Sequence, residues 1–277
     1  TRSLGGQATL ALSEPLLEAY RKVPLIEPLQ KQLKLKKAKM DEVLRAYAQA
    51  SEAGVADVTT AATYQTAALY QDFGKALIGS QRPKGLKKLE LEQYNVLLEE
   101  QAFPFEEKAI ELHETNARRT TQGLWDDSVK KSLAELAKLK PVRYGKQERG
   151  DAALGTDIAT LQAAADKPAV SPASPAVWNQ LGIAQRQAGQ FGAARKSYEA
   201  ALAADARYLP AQLNLAILLD LYLGDLPQAQ AAYQKSLELS PADAPQLNRW
   251  LAELKGRKPV AAAAPAAASP AASPAVT

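Results

Sequence analysis

The sequence predicts an all-α protein built from helical hairpins, and three observations carry this prediction. Strand-favouring residues are sparse, with 6% aromatic side chains, whereas alanine, leucine, lysine, glutamate and glutamine are abundant. Apolar residues recur at helical spacing, as Leu33, Met40, Leu44 and Tyr47 do within residues 28–52. The C-terminal half also resembles itself at a spacing near 34 residues, which is typical of stacked helical repeats.

Glycine and proline residues, which interrupt helices, and changes in composition divide the chain into five segments. We expect a disordered N-terminus over residues 1–12 and a helical-hairpin domain over 13–144, in which Pro104 kinks or ends the third helix. Residues 145–174, rich in small residues, Gly and Pro, are interpreted as a linker with one short helix. The repeats and a capping helix fill residues 175–257. Residues 258–277 are Ala, Pro, Ser, Val and Thr without a period, so we expect a disordered tail.

The repeats are seen by aligning residues 178–207 with 212–243. Large, small and turn positions recur in the same order in both units, and the second unit has one extra residue before its turn. The first set is Trp178, Leu181, Gly182, Gly189, Ala194, Tyr198 and Ala201, and the second is Asn214, Leu215, Ala216, Gly224, Ala229, Tyr233, Ser236 and Pro241. This pattern resembles the tetratricopeptide-repeat (TPR) consensus.

The small residues have a physical purpose in this pattern. Gly182 and Ala216 let the second helix of each repeat approach the first, and Gly189 and Gly224 make the turns. A short stack needs a cap, which residues 241–255 supply. Residues 123–141, from Gly123-Leu-Trp onward, resemble a TPR turn and second helix, so the N-terminal hairpins are either divergent repeats or a dedicated helical domain.

Three longer stretches are similar to bacterial envelope TPR proteins. They are ALYQDFG from residue 68, LEQYNVLLEEQAFPFEEKAI from residue 91 and NLAILLDLYLGD from residue 214, with WLAELK from residue 250 following them. They resemble the TPR component of adventurous gliding motility systems that accompany TolQ/TolR- or ExbB/ExbD-type motors. The resemblance implies an adaptor that is either periplasmic or attached to the outer membrane, and the attached form would be a lipoprotein whose modified cysteine precedes Thr1. The small, polar residues at the start of the chain also fit a removed export leader, or simply a chain cut at this point.

The concave groove of a TPR is lined by the first helix of each repeat. This nominates Asn179, Ile183 and Arg186 from the first repeat and Asn214 and Ile217 from the second as a partner-binding groove. The alternative is that these side chains are solvated or packed against a neighbouring helix. The lysine- and arginine-rich carboxylate clamp of chaperone-binding TPRs is absent, so the ligand need not be a C-terminal tail.

Composition argues against most catalytic and cofactor chemistry. The chain has no cysteine and a single histidine, His113, and it lacks a glycine-rich phosphate loop, so we predict no enzyme activity, no metal and no cofactor. The carboxylate pairs Glu99-Glu100 and Glu106-Glu107 leave one catalytic alternative, which requires them to converge with His113. All of the net charge of +4 lies in residues 1–150, where the lysines of residues 31–39 form a solvated helix face rather than a nucleic-acid site.

The sequence therefore predicts a non-enzymatic scaffold of a bacterial envelope complex. Its partners would be other proteins or peptide segments, bound through the TPR groove and the N-terminal helices. The alternative is a pilotin-like TPR lipoprotein that assists the assembly of a secretin or a type IV pilus.

Overall fold

The computed structural model describes residues 2–166 and 174–257, and it confirms the all-α fold of stacked helical hairpins. No residue in these two ranges lies in a β-strand. The helices are α1 Arg2–Leu12, α2 Glu14–Arg21, α3 Leu29–Ser51, α4 Ala56–Ile78, α5 Lys88–Arg118, α6 Asp127–Leu139, α7 Pro141–Tyr144, α8 Ile158–Ala165, α9 Pro175–Gln187, α10 Phe191–Ala204, α11 Leu209–Leu218, α12 Leu226–Leu239 and α13 Ala244–Gly256. Within the described part, no helix has the length and apolar character needed to cross a bilayer.

The described residues form two compact units. The first consists of residues 2–116 and 126–132, and the second of residues 117–125, 133–166 and 174–257. The predicted boundary between residues 144 and 145 lies inside the second unit. Residues 2–12 form α1, whereas the sequence predicted a disordered N-terminus. The predicted tail, 258–277, lies outside the described residues.

The first unit packs α1 and α2 against α3, and α3 against α4. Its core centres on the fully buried side chains of Tyr20, Met40, Tyr47, Phe73 and Phe105. The rings of Phe73 and Phe105 lie 4.6 Å apart between centroids, which joins α4 to α5.

Helix α5 runs from Lys88 to Arg118 with Pro104 inside it, so Pro104 does not end the helix. Proline removes one backbone donor from the helix interior and normally disrupts it. Here Ala102, Phe105 and Ala109 of the same helix are buried in the core of the first unit. Tertiary packing therefore holds the helix together where local preference would end it.

The second unit contains the two predicted helical hairpins, α9–α10 and α11–α12, followed by the cap α13. A Cβ atom added to Gly182 would lie 2.4 Å from Cε1 of Tyr198, which confirms that this glycine permits the close approach of α9 and α10. The turn glycines Gly189 and Gly224 have φ angles of +79° and +69°, a conformation that favours glycine.

The extra residue of the second repeat is absorbed by a π-helical turn, Leu219–Leu223, at the end of α11. A π-turn accommodates one inserted residue within a helix and often marks a functional site. The turn carries Asp220, whose side chain is fully buried. The insertion therefore places a carboxylate inside the second repeat.

Candidate peptide-binding groove

An irregular segment, residues 147–157, contacts the first helices of both repeats, and we call it the strap. It lies between Lys146, which is buried, and α8. The composition of residues 145–174 predicted a linker. In the structure, residues 145–166 belong to the second unit, and residues 167–173 lie outside the described residues.

The main chain of the strap is held by two asparagines, Asn179 of α9 and Asn214 of α11, which we call the asparagine clamp. Their Nδ2 atoms donate to the carbonyl oxygen of Arg149 at 2.9 and 2.8 Å. The Arg149 amide in turn donates to Oδ1 of Asn214 at 2.8 Å. Because a carboxamide has both donors and an acceptor, Asn214 binds both backbone groups of one residue. Both asparagines are fully buried.

Gln180 of α9 extends the main-chain contacts along the strap. Its Oε1 accepts from the amide of Asp151 at 3.1 Å, and its Nε2 donates to the carbonyl of Gly155 at 2.7 Å. A Cβ atom on Gly150 would lie 2.6 Å from both Gln180 Oε1 and Ile183 Cδ1. A side chain at position 150 would therefore displace the ends of the Gln180 and Ile183 side chains.

Glu148 of the strap enters a pocket formed by Arg186 and Tyr198. Arg186 contacts Oε2 through both Nε, at 3.0 Å, and Nη2, and the Tyr198 hydroxyl donates to Oε1 at 2.7 Å. Burial and the nearby Glu148 carboxylate raise the pKa of Tyr198 well above its ordinary value. The hydroxyl therefore stays protonated and serves as a donor to a carboxylate.

Arg149 makes a second, more exposed ion pair with Asp243, which precedes the cap. Its Nη1 and Nη2 atoms lie 2.8 and 2.9 Å from the two carboxylate oxygens, in a bidentate arrangement. Hydrogen bonding from Arg149 lowers the pKa of Asp243. The strap thus presents a carboxylate and a guanidinium on consecutive residues, and each meets its opposite charge.

Asp220 in the π-turn forms a buried network beside the strap. Lys146 Nζ contacts its carboxylate, the Tyr233 hydroxyl donates to Oδ2 at 3.0 Å, and Arg257 donates to Oδ1. The side chains of Lys146 and Asp220 are both fully buried. Burial lowers the pKa of Lys146, and Asp220 opposes that shift. This network fixes Lys146, the residue that directly precedes the strap.

Four of the five residues nominated from the sequence lie against the strap. Asn179, Arg186 and Asn214 bind it directly, and Ile183 lies beneath Gly150. Ile217 does not line the groove. Its side chain is 1% exposed and belongs to the apolar cluster that includes the cap residues Leu247, Trp250, Leu251 and Leu254.

Sequence reasoning missed the residues that complete the groove, namely Gln180, Tyr198, Asp220 and the strap itself. One feature of the sequence did point to the strap. The segment interpreted as a linker carries Lys146, Glu148, Arg149 and Asp151 within six positions, a charge density that a plain Gly/Ser/Ala spacer lacks.

The catalytic alternative requires a pocket that its residues do not form. Glu99, Glu100, Glu106 and Glu107 are all exposed. His113 is fully buried, with Nδ1 3.2 Å from the Ser132 hydroxyl. In the described residues, no group of three or more His, Asp or Glu side chains is arranged to hold a metal ion. What the strap region offers instead is a surface that binds an extended main chain and its charges.

Comparison with known families matches the tetratricopeptide repeat to residues 175–208 and 209–243. These ranges coincide with the hairpins α9–α10 and α11–α12, and the second is one residue longer, as the π-turn requires. A search of curated proteins finds no match. The chain carries two tetratricopeptide repeats, a module that mediates binding to other proteins or peptides.

Proposed function

We propose that the groove formed by α9 and α11 binds an extended segment of another protein, and that the chain acts as a non-enzymatic scaffold. One observation carries this proposal. The asparagine clamp binds the amide and the carbonyl of a single residue, Arg149, without using its side chain. Main-chain recognition of this kind holds any extended peptide, while neighbouring pockets select its side chains.

The pockets for selection are also in place. Arg186 and Tyr198 form a cationic, donor-rich pocket for a carboxylate, and Asp243 offers a site for a cation. Because the carboxylate pocket is buried and its donors are already oriented, a bound carboxylate would make strong, charge-assisted hydrogen bonds. This is the chemistry of a binding site rather than of a reaction centre.

We further propose that the partner is a subunit of a bacterial cell-envelope complex of the TolQ/TolR or ExbB/ExbD type, and that the chain works in the periplasm or attached to the outer membrane. The resemblance of the stretches at residues 68–74, 91–110 and 214–225 to envelope TPR proteins supports this proposal. The pilotin-like alternative uses the same groove with a secretin or pilus subunit as the ligand.

Site-specific photo-crosslinking in the source cell tests both levels of the proposal. Benzoylphenylalanine would be placed at Gln187 or Ala242, which are exposed and adjacent in sequence to the groove residues Arg186 and Asp243. Matched positions at Lys196 of α10 and Glu238 of α12 are also exposed, on the second helices of the repeats. We expect one protein to be captured from the first two positions and not from the controls.

The identity of the captured protein then decides between the systems. TolQ/TolR- or ExbB/ExbD-type subunits support the first assignment, and secretin or pilus subunits support the alternative. Equal capture from all four positions, or capture from none by a chain that still retains its partner on affinity purification, contradicts binding in the groove.

A further inference from the structure

The strap differs from the rest of the second unit in what holds it in place. Its contacts with the repeats are mostly hydrogen bonds and ion pairs from Glu148, Arg149, Asp151 and Gly155, and an apolar contact is made by the half-buried Leu154 with the cluster of α8 and α9. The residues from Gly150 to Ala153 are all exposed. A segment with few buried apolar contacts lies at the low end of local stability, so it can open without unfolding its surroundings.

The ends of the strap are fixed far more firmly. Lys146 is fully buried against Asp220 at one end. At the other end α8 packs Leu161 and Ala165 into an apolar cluster with Leu181 and Ala184 of α9. The strap is therefore an eleven-residue connection, 147–157, between two secured points. It can leave the groove while α8 and the repeats stay folded.

The strap also makes the contacts that a bound peptide would make. Its main chain occupies the asparagine clamp, its carboxylate fills the Arg186–Tyr198 pocket, and its guanidinium pairs with Asp243. Glycine follows at position 150, where a side chain would displace the ends of Gln180 and Ile183. The groove is thus complementary to one order of residues, glutamate then arginine then glycine.

We propose that the strap is an internal ligand of the TPR groove, and that the partner binds through an extended segment with the same Glu-Arg-Gly order, which displaces the strap. This inference rests on the proposed function, because it specifies the partner of the same groove. The tether gives the strap an effective concentration in the millimolar range, so a partner must bind more tightly or be locally concentrated to replace it.

A peptide-binding assay tests this inference directly. The probe is a fluorescein-labelled peptide with the sequence of residues 147–157, and the protein is the full chain. In an open-groove variant, Gln147→Ser, Glu148→Gly, Arg149→Ser and Asp151→Ser remove, at constant length, the charges that the strap places in the groove, and Asp157, which caps α8, is kept. We expect the peptide to bind this variant at least about tenfold more tightly than the wild-type chain, because the tethered competitor is weakened.

Two matched controls show whether binding uses the groove. A peptide of identical composition, with its glutamate and arginine exchanged, should lose binding to the open-groove variant. Adding Arg186→Gln to that variant should weaken binding, whereas adding Arg195→Gln should not. Arg195 is a suitable control because it pairs with Glu199 on the exposed surface of α10.

Equal affinity for wild-type and open-groove proteins, or no binding to a folded open-groove variant, overturns the inference. If that variant does not fold, hydrogen exchange of the wild-type chain decides. The amides of Arg149 and Asp151 should exchange earlier than those of α9 and α11. If these two amides exchange only when the whole chain unfolds, the inference is overturned. Peptide binding without crosslinks at the groove would support the strap as an internal ligand and contradict the proposed function. Crosslinks at the groove without peptide binding would support the proposed function and contradict the role of the strap.

Discussion

Asn214 donates a hydrogen bond from Nδ2 to Oδ1 of Asn179 at 2.9 Å, which connects the first helices of the two repeats. Each asparagine also donates to the carbonyl of Arg149. The contact fixes the orientation of both carboxamides before any ligand is present. The same pair of residues therefore connects the two repeats and holds the main chain of the strap at Arg149.

Replacing Asn214 should destabilise the second unit. Asn214→Ala removes the partners of the Arg149 amide and of Asn179 Oδ1 in a buried site, which costs about 1–3 kcal/mol of unfolding free energy. Asn248→Ala, at an exposed position of α13, should stay within about 0.5 kcal/mol of wild type. Urea unfolding measures both. Similar effects of the two substitutions would argue against the clamp.

Gly182 should not tolerate even a methyl group. In Gly182→Ala the new Cβ would meet the ring of Tyr198, which cannot retreat because it is buried and its hydroxyl is bonded to Glu148. Overpacking of this kind costs about 1–3 kcal/mol. Gly192→Ala in α10 meets no atom within 4 Å and should be neutral or stabilising by up to about 1 kcal/mol. The two alanine variants should therefore differ in the sign of their effect on thermal stability.

Removing the buried charge of Lys146 should be costly. Lys146→Met leaves Asp220 in the protein interior with only Arg257 and Tyr233 as partners. Breaking a buried ion pair typically costs about 3–5 kcal/mol, and the remaining partners place this variant at the lower end. Lys235→Met, which breaks an exposed pair with Glu238, should change little. Equal urea midpoints for the two variants would contradict the role of the Asp220 network.

Stability should fall as the pH rises above 10. Burial raises the pKa of Tyr198, Tyr222 and Tyr233 above the ordinary value of 10.0, so these hydroxyls stay protonated in the folded chain after they ionise in the unfolded one. The folded state then binds more protons than the unfolded state. Each tyrosine therefore lowers the free energy of unfolding by about 1.4 kcal/mol per pH unit above 10, and it has no such effect below pH 10.

Lys146 acts in the opposite direction, because its lowered pKa makes the folded chain release a proton first. The three tyrosines outweigh this single lysine. Thermal unfolding recorded on both sides of pH 10, together with tyrosinate absorbance, checks the prediction. Complete ionisation of the tyrosines before any loss of helical signal would contradict it.

The fold was largely predictable, because its determinants are periodic. The small residues at Gly182 and Ala194, the large ones at Tyr198 and Tyr233, and the turn glycines recur at fixed spacing, and that spacing encodes how the helices pack. Pro104 shows the limit of local rules, since burial of Phe105 keeps α5 intact through it.

The groove was predictable only in part. Asn179, Arg186 and Asn214, nominated because they lie on the first helices of the repeats, contact the strap. The strap itself was not predicted, because the contacts of Arg149 with Asn179 and Asn214 span 30 and 65 residues of sequence and use main-chain atoms. Main-chain hydrogen bonds leave no residue pattern. Ile217 lies instead in the apolar cluster that the second repeat shares with the cap, which follows from contacts with residues that the repeat pattern does not include.

Whether the asparagine clamp binds a peptide main chain can be measured from the side-chain amide signals of Asn179 and Asn214 in an NMR titration. The open-groove variant would be titrated with the peptide of residues 147–157, and the exposed carboxamide of Asn248 would serve as the internal reference. We expect the Asn179 and Asn214 signals to shift together and saturate while the Asn248 signal stays in place. Peptide binding that leaves both clamp signals unmoved would contradict recognition by the clamp.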